Sequence, residues 1–129
     1  MTDATEKQAA LVNLLFEKTK ERKLEWKPAL RDEWFQVSFA DYTVQIGIKD
    51  SERSDGEVDA VIQVLDSNGD IADVFTDVDL SGEPGARVSL SGGSPSWYAE
   101  MFEIYQMARR SARGADFALD KLLGELRRK

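Results

Sequence analysis

The chain of 129 residues holds neither histidine nor cysteine. Without imidazole it lacks the side chain that most readily moves protons near neutral pH, and without a thiol it lacks the strongest protein nucleophile. The same absences remove disulfide staples and the usual ligands of zinc, copper, haem and iron–sulfur clusters. No cofactor is expected on this chemistry. Long apolar runs are missing too: near the N-terminus, Ala9 to Phe16 is interrupted by Asn13, well short of the ~20 residues that span a bilayer. The opening Met1-Thr2-Asp3-Ala4-Thr5-Glu6 has no basic start of the kind that precedes a secretory signal. These absences predict a cytoplasmic protein with no membrane contact. Chemistry is left to carboxylates, hydroxyls, amides, lysine and arginine.

What is present is typical of one folded domain over 1–129, with 42% hydrophobic and 32% charged residues. The formal charge of −7 is unevenly spread. Residues 1–30 carry +1, residues 31–83 carry −11 and residues 84–129 carry +3. An acidic total disfavours direct contact with nucleic acid or anionic lipid, and favours a partner protein, in particular a basic one.

Periodicity divides the chain. From about Thr5 to Arg22, Leu11, Val12, Leu14 and Leu15 recur at helical spacing; Thr5 and Gln8 have the form of a capping box, and basic residues gather at the far end. Between 33 and 49 the period changes to two. If Ala40-Asp41 is the turn, Phe39 faces Tyr42, Val37 faces Val44 and Phe35 faces Ile46, all on one side. Val58 to Val64 predicts a third strand and Ile71 to Val78 a fourth, joined through Asn68-Gly69, the strongest short hairpin signal. A tight turn there sets Asp73 opposite Val64, a charge on an apolar face that a bulge or longer loop would relieve. Residues 81–96 read as a Ser/Gly/Pro-rich loop. A helix from about Pro95 to Ala112 follows, with Ser94 as cap and Gly114 ending it, and Asp116 caps a last one with the stripe Leu119, Leu122, Leu123, Leu126. The expected fold class is α+β: a two-layer domain whose four-stranded antiparallel meander is covered on one face by the N-terminal helix and two C-terminal helices.

Several residue groups invite a chemical reading. Asp66, Asn68, Asp70, Asp73, Asp77 and Asp79 offer oxygen ligands, but an EF-hand loop counted from Asp66 needs glycine and glutamate where Ile71 and Asp77 stand, so no metal site is assigned. Asp77 and Asp79, as paired carboxylates, lack any sign of the burial that catalysis requires. Ser89, Ser91, Ser94 and Ser96 have no histidine base, no nucleophile elbow, and no lysine between 84 and 120. No catalytic residue is therefore named. Gly92, Gly93 and Ser94 before a helix, with Arg87 nearby, form a candidate anion site. Arg109, Arg110 and Arg113, and the tail Arg127-Arg128-Lys129, complement helix dipoles and can face the acidic strands of the same molecule.

The strand residues that alternate with the apolar set form the last group. Trp34, Gln36, Gln45 and Gln63, with Ser38, Thr43, Val61 and Leu65, mark the sheet face away from the core as a candidate partner-binding surface. In size, acidity and N-terminal helix the chain resembles the small dimeric α/β chaperones of bacterial type III secretion, which hold effector segments. Those chaperones carry a helix between two of their strands, where this chain has the polar stretch Asp50 to Gly56. The resemblance extends to no individual residue. The leading expectation is a non-catalytic protein-interaction module, of adaptor, chaperone, immunity or inhibitor type, with homodimerisation as a further possibility. The alternatives are a small-ligand or anion sensor using the helix start at Gly92-Gly93-Ser94, and an acidic mimic of nucleic acid.

Overall fold

Asp3 begins the first helix, α1 (Ala4–Lys20): its carboxylate accepts a hydrogen bond from the Glu6 N–H at 2.9 Å. The cap therefore falls before Thr5, because aspartate adds a full negative charge at the positive end of the helix dipole. The helix stops where Arg22 takes a left-handed φ of 62° and the Lys23 N–H returns to the Lys18 carbonyl at 2.9 Å. The computed structural model describes residues 3–51, 57–90 and 92–129. Residues 52–56 of the loop expected from Asp50 to Gly56, and Ser91, lie outside that range.

Among the described residues the sheet has five strands in sequential antiparallel order: β1 (Lys27–Pro28), β2 (Phe35–Ser38), β3 (Tyr42–Asp50), β4 (Val58–Asp66) and β5 (Ile71–Thr76). The four expected strands are there, and β1 adds a short outer one. It pairs Lys27 with Gln36 and Pro28 with Phe35. Proline has no N–H to give a ladder, so such a segment fits only at an edge. In the β2–β3 hairpin, Phe35 faces Ile46 and Val37 faces Val44, as the alternation predicts. Across β4–β5, Val64 does face Asp73, and a bulge then shifts the pairing to Leu65 with Ile71. Asp73 is accommodated at the margin of the apolar face: Gln8 of α1 donates to its Oδ2 at 3.0 Å and the Val74 N–H to its Oδ1 at 2.9 Å.

The second long helix, α2 (Trp97–Ala112), starts two residues after the expected Ser94 cap, at Ser96, whose Oγ accepts from the Ala99 N–H at 3.1 Å. Pro95 thus precedes the cap instead of opening the helix. Helix α2 buries Trp97, Met101, Ile104, Tyr105 and Ala108 against the sheet and α1. With Val12 and Leu15 of α1 and Phe35, Ile46, Ile62 and Phe75 of the sheet, they form one core. Each such side chain contributes about 1.5–3 kcal/mol of hydrophobic stabilisation.

The last helix, α3 (Ala115–Arg127), departs from the expected arrangement. Gly114, at φ 65°, turns the chain off the end of α2 and takes the cap position expected of Asp116, which lies inside the first turn; α3 buries no residue of its own. Two helices, not three, cover the sheet, leaving the leucine stripe of α3 in solvent. Among the described residues no helix is long and apolar enough to cross a membrane.

Candidate interaction face

The sheet period of two that sends Phe35, Val37, Val44, Ile46, Ile62 and Phe75 into the core sends their neighbours to the opposite side. The register then sorts those neighbours into rows. In the middle row Gln36 faces Gln45, Gln45 faces Gln63 and Gln63 faces Val74. The Gln45 amide donates to the Gln36 carbonyl oxygen at 2.9 Å. Toward the hairpin tips the next row runs Ser38, Thr43, Leu65, Ile71, with the Ser38 and Thr43 hydroxyls 3.3 Å apart. On the other side Gly47, Val61 and Thr76 form the third row.

These rows hold no charged side chain, although 32% of the chain is charged. Charges begin at the rim: Lys27 opposite Gln36, and Lys49 opposite Asp59. Among the described residues no helix lies over the first two rows, whereas Gly47 and Val61 of the third are buried. Val74 is 50% and Ile71 59% exposed, while the three glutamines, Thr43 and Leu65 are half-buried by their own neighbours. A shallow cleft of about 440 Å³, lined in part by Gln36, Ser38, Thr43, Leu65 and Ser67, opens at the hairpin end.

The structure brings Gln36, Gln45 and Gln63 together as the sequence reading expects, but it places Trp34 differently. Trp34 lies on this face yet is only 5% exposed. Its indole occupies the space above Gly47, where a Cβ would come within 2.1 Å of Trp34 Cδ2. The Arg31 guanidinium covers the ring from the other side, 4.8 Å from its centroid. Trp34 therefore walls one end of the face instead of projecting from it. A lone glycine in a regular strand signals such a close approach, and Gly47 carried that signal in the sequence.

The candidate anion residues do not assemble. Arg87 reaches toward Glu17 of α1, at 3.9 Å, and its backbone N–H donates to Glu100 at 2.6 Å. Gly92 and Gly93 sit in a turn ahead of Ser96, with the Gly93 N–H bonded to the Leu90 carbonyl at 3.0 Å. The first turn of α2 meets the buried carboxylate of Glu100 instead of an open pocket. Burial raises the Glu100 carboxyl above its ordinary range, against the pull of the Arg87 N–H and charge. Turning the Asn13 amide nitrogen toward Glu100 allows donation to both oxygens, at 3.3 and 2.5 Å.

The remaining acids and bases have identifiable structural work. Asp66 Oδ1 accepts from the Asn68 and Asp70 N–H groups and closes the hairpin loop. Asp77 accepts from the Ala60 N–H at 3.1 Å, and Asp79 from the Thr76 N–H at 2.9 Å. The latter two carboxylates fasten the segment leaving β5 to its neighbours. Glu33, at a left-handed φ of 62°, accepts from the Tyr105 hydroxyl at 3.1 Å, from Arg109 at 3.2 Å and from Arg113. Desolvation opposes ionisation of Glu33, but the hydroxyl and the two guanidinium groups outweigh it and hold the carboxyl below its ordinary value. The sequence placed these arginines opposite acidic strands; their acceptor precedes β2 instead. Among the described residues no group of three or more acidic, histidine or cysteine side chains is arranged to hold a metal ion. No protein-family model, curated protein or solved structure matches the chain.

Proposed function

We propose that this chain is a non-catalytic protein-interaction module that receives a segment of another protein on the open face of its sheet. The observation that supports it most is the uncharged surface running from Gln36 through Gln45 and Gln63 to Val74, bordered by Leu65 and Ile71. Depletion of charge, with apolar area and amide groups combined, characterises the centre of interfaces more than it does ordinary protein surface. Exposed apolar groups gathered on one face also distinguish a binding surface from scattered surface hydrophobics. The glutamine amides supply both donors and acceptors, so an extended polypeptide laid on the rows can satisfy its backbone polar groups while its apolar side chains meet Leu65, Ile71 and Val74. The surrounding acidity, −7 over the chain, draws a basic partner toward a face that itself binds by shape and amide bonding.

The test compares the wild-type chain with Gln45→Arg and Val74→Asp as baits in native lysate. Both positions are at least partly exposed, so the variants are expected to keep the wild-type circular dichroism and Tm. A partner that is retained by wild type and lost from both folded variants supports this reading. Equal capture by all three, or no reproducible partner, overturns it.

A further inference from the structure

Helix α3 presents an apolar stripe that nothing among the described residues covers. Leu119, Leu122, Leu123 and Leu126 follow one another at the spacing of a single helix face, and each is between 45% and 65% exposed. The first turn of the helix is tied to the domain. Asp116 pairs with Arg110 of α2 at 2.9 Å and with Arg22 beyond α1 at 3.6 Å, while Phe117 borders the groove that also contains Trp26 and Met107. These contacts hold the start of α3 at the end of α2, and the leucines that follow remain exposed. A packed helix ordinarily buries such a stripe; this one stands clear of the domain with the stripe outward.

The charges of α3 say what fits against it. Its first six residues carry Asp116 and Asp120 and no base, Lys121 stands at its middle, and its end carries Arg127, Arg128 and Lys129 against one acid, Glu125. We propose that α3 is the surface through which two copies of this chain pair, antiparallel, about a two-fold axis between Leu122 and Leu123. In that register Leu119 meets Leu126 of the second copy. Arg127 then lies opposite the turn between Asp116 and Asp120, and the two helix dipoles oppose each other. Asp120 faces Glu125 of the second copy, the one like-charge pairing of this register, whereas a parallel pair would set every acid on its own copy and every base on its own. Because both copies use the same patch, the contact closes on itself and does not propagate into a fibre. A helix of this length offers about 20 Å of contact, short of a standard interface, so the dimer is one that dissociates on dilution. This proposal is independent of the sheet face and leaves that face free in both copies.

Sedimentation equilibrium of the full chain from about 1 to 300 μM should show a monomer–dimer transition. Leu122→Glu and Leu123→Glu should each raise the dissociation constant at least tenfold, with unchanged circular dichroism, since neither side chain is buried in the domain. Because the wild type has no cysteine, single substitutions report the geometry under mild oxidation. Leu122→Cys should cross-link to itself. Leu119→Cys and Leu126→Cys should cross-link, when mixed, at several times the rate of either alone. A monomeric mass throughout the concentration range overturns the proposal, as it would if another protein covered the stripe. So does self-cross-linking at 119 and 126 in preference to 122, the signature of a parallel pair.

Discussion

At the scale of single residues, two side chains do work that their neighbours make visible. Gly47 is the contact floor for Trp34, and alanine there would drive a methyl into the indole ring. Gly47→Ala is therefore expected to lower stability by about 1–3 kcal/mol through overpacking, seen as an earlier urea midpoint with a red-shifted tryptophan emission in the native baseline. Glu100 is the other. Its carboxyl is raised above the ordinary value of 4.5 by burial, so folding favours the protonated acid. The stability tied to that proton is complete below the ordinary range and is lost as pH climbs through the raised value. Glutamine is neutral at every pH, and its Oε1 can still accept from the Arg87 N–H while its amide faces Asn13. Glu100→Gln should thus melt at a higher temperature than wild type at pH 7, and the difference should close as pH falls below 4.5. A variant less stable than wild type at pH 7 would show that the carboxylate–amide contacts outweigh burial.

At the scale of elements, the hairpins were the most legible part of the chain. Alternation between Phe35 and Ile48 fixed both the strands and their register, because slipping β2 against β3 by one residue would send every apolar side chain to the wrong face. Asn68-Gly69 located the second turn; a bulge does follow, but it leaves Asp73 facing Val64 instead of relieving it. What stayed hidden was set by tertiary neighbours. Strand β1 has two residues and no period to read. Trp34 reads as an exposed aromatic among polar alternates until Arg31 and Gly47 are seen to enclose it. The glutamine row was visible as alternation, but its continuity across strands depended on registers known only once the sheet was formed. For α3, a leucine stripe announces that something covers it without saying whether the cover belongs to the same chain. Since α3 buries none of its residues, ending the chain at Arg113 should cost less than about 1 kcal/mol in urea unfolding of the monomer. A larger loss would mean that α3 supports the core.

For the whole molecule, acidity and the interaction face divide the labour of binding. The excess negative charge lies in residues 31–83, the segment that also builds the sheet, yet the open rows themselves carry none of it. Long-range attraction governs how often a basic partner arrives; short-range fit governs how long it stays. Raising ionic strength from about 50 to 500 mM should therefore slow association severalfold and change dissociation little, measured by surface plasmon resonance with the captured partner. A salt-dependent dissociation rate would instead place charged groups at the centre of the contact. The basic side chains at the end of α2 stay exposed but are paired: Arg109 and Arg113 on Glu33, and Arg110 on Asp116.

The stacking of Trp34 on Gly47 gives the molecule a label of its own. Trp26 and Trp97 belong to the core beneath the helices, whereas Trp34 stands at the end of the open rows with a guanidinium against its ring. An excited indole transfers charge readily to its surroundings, so its emission follows small movements of Arg31 and the water beside it. With phenylalanine at 26 and 97, the remaining light comes from the wall of the binding face alone, and a partner's arrival can be timed without attaching a dye.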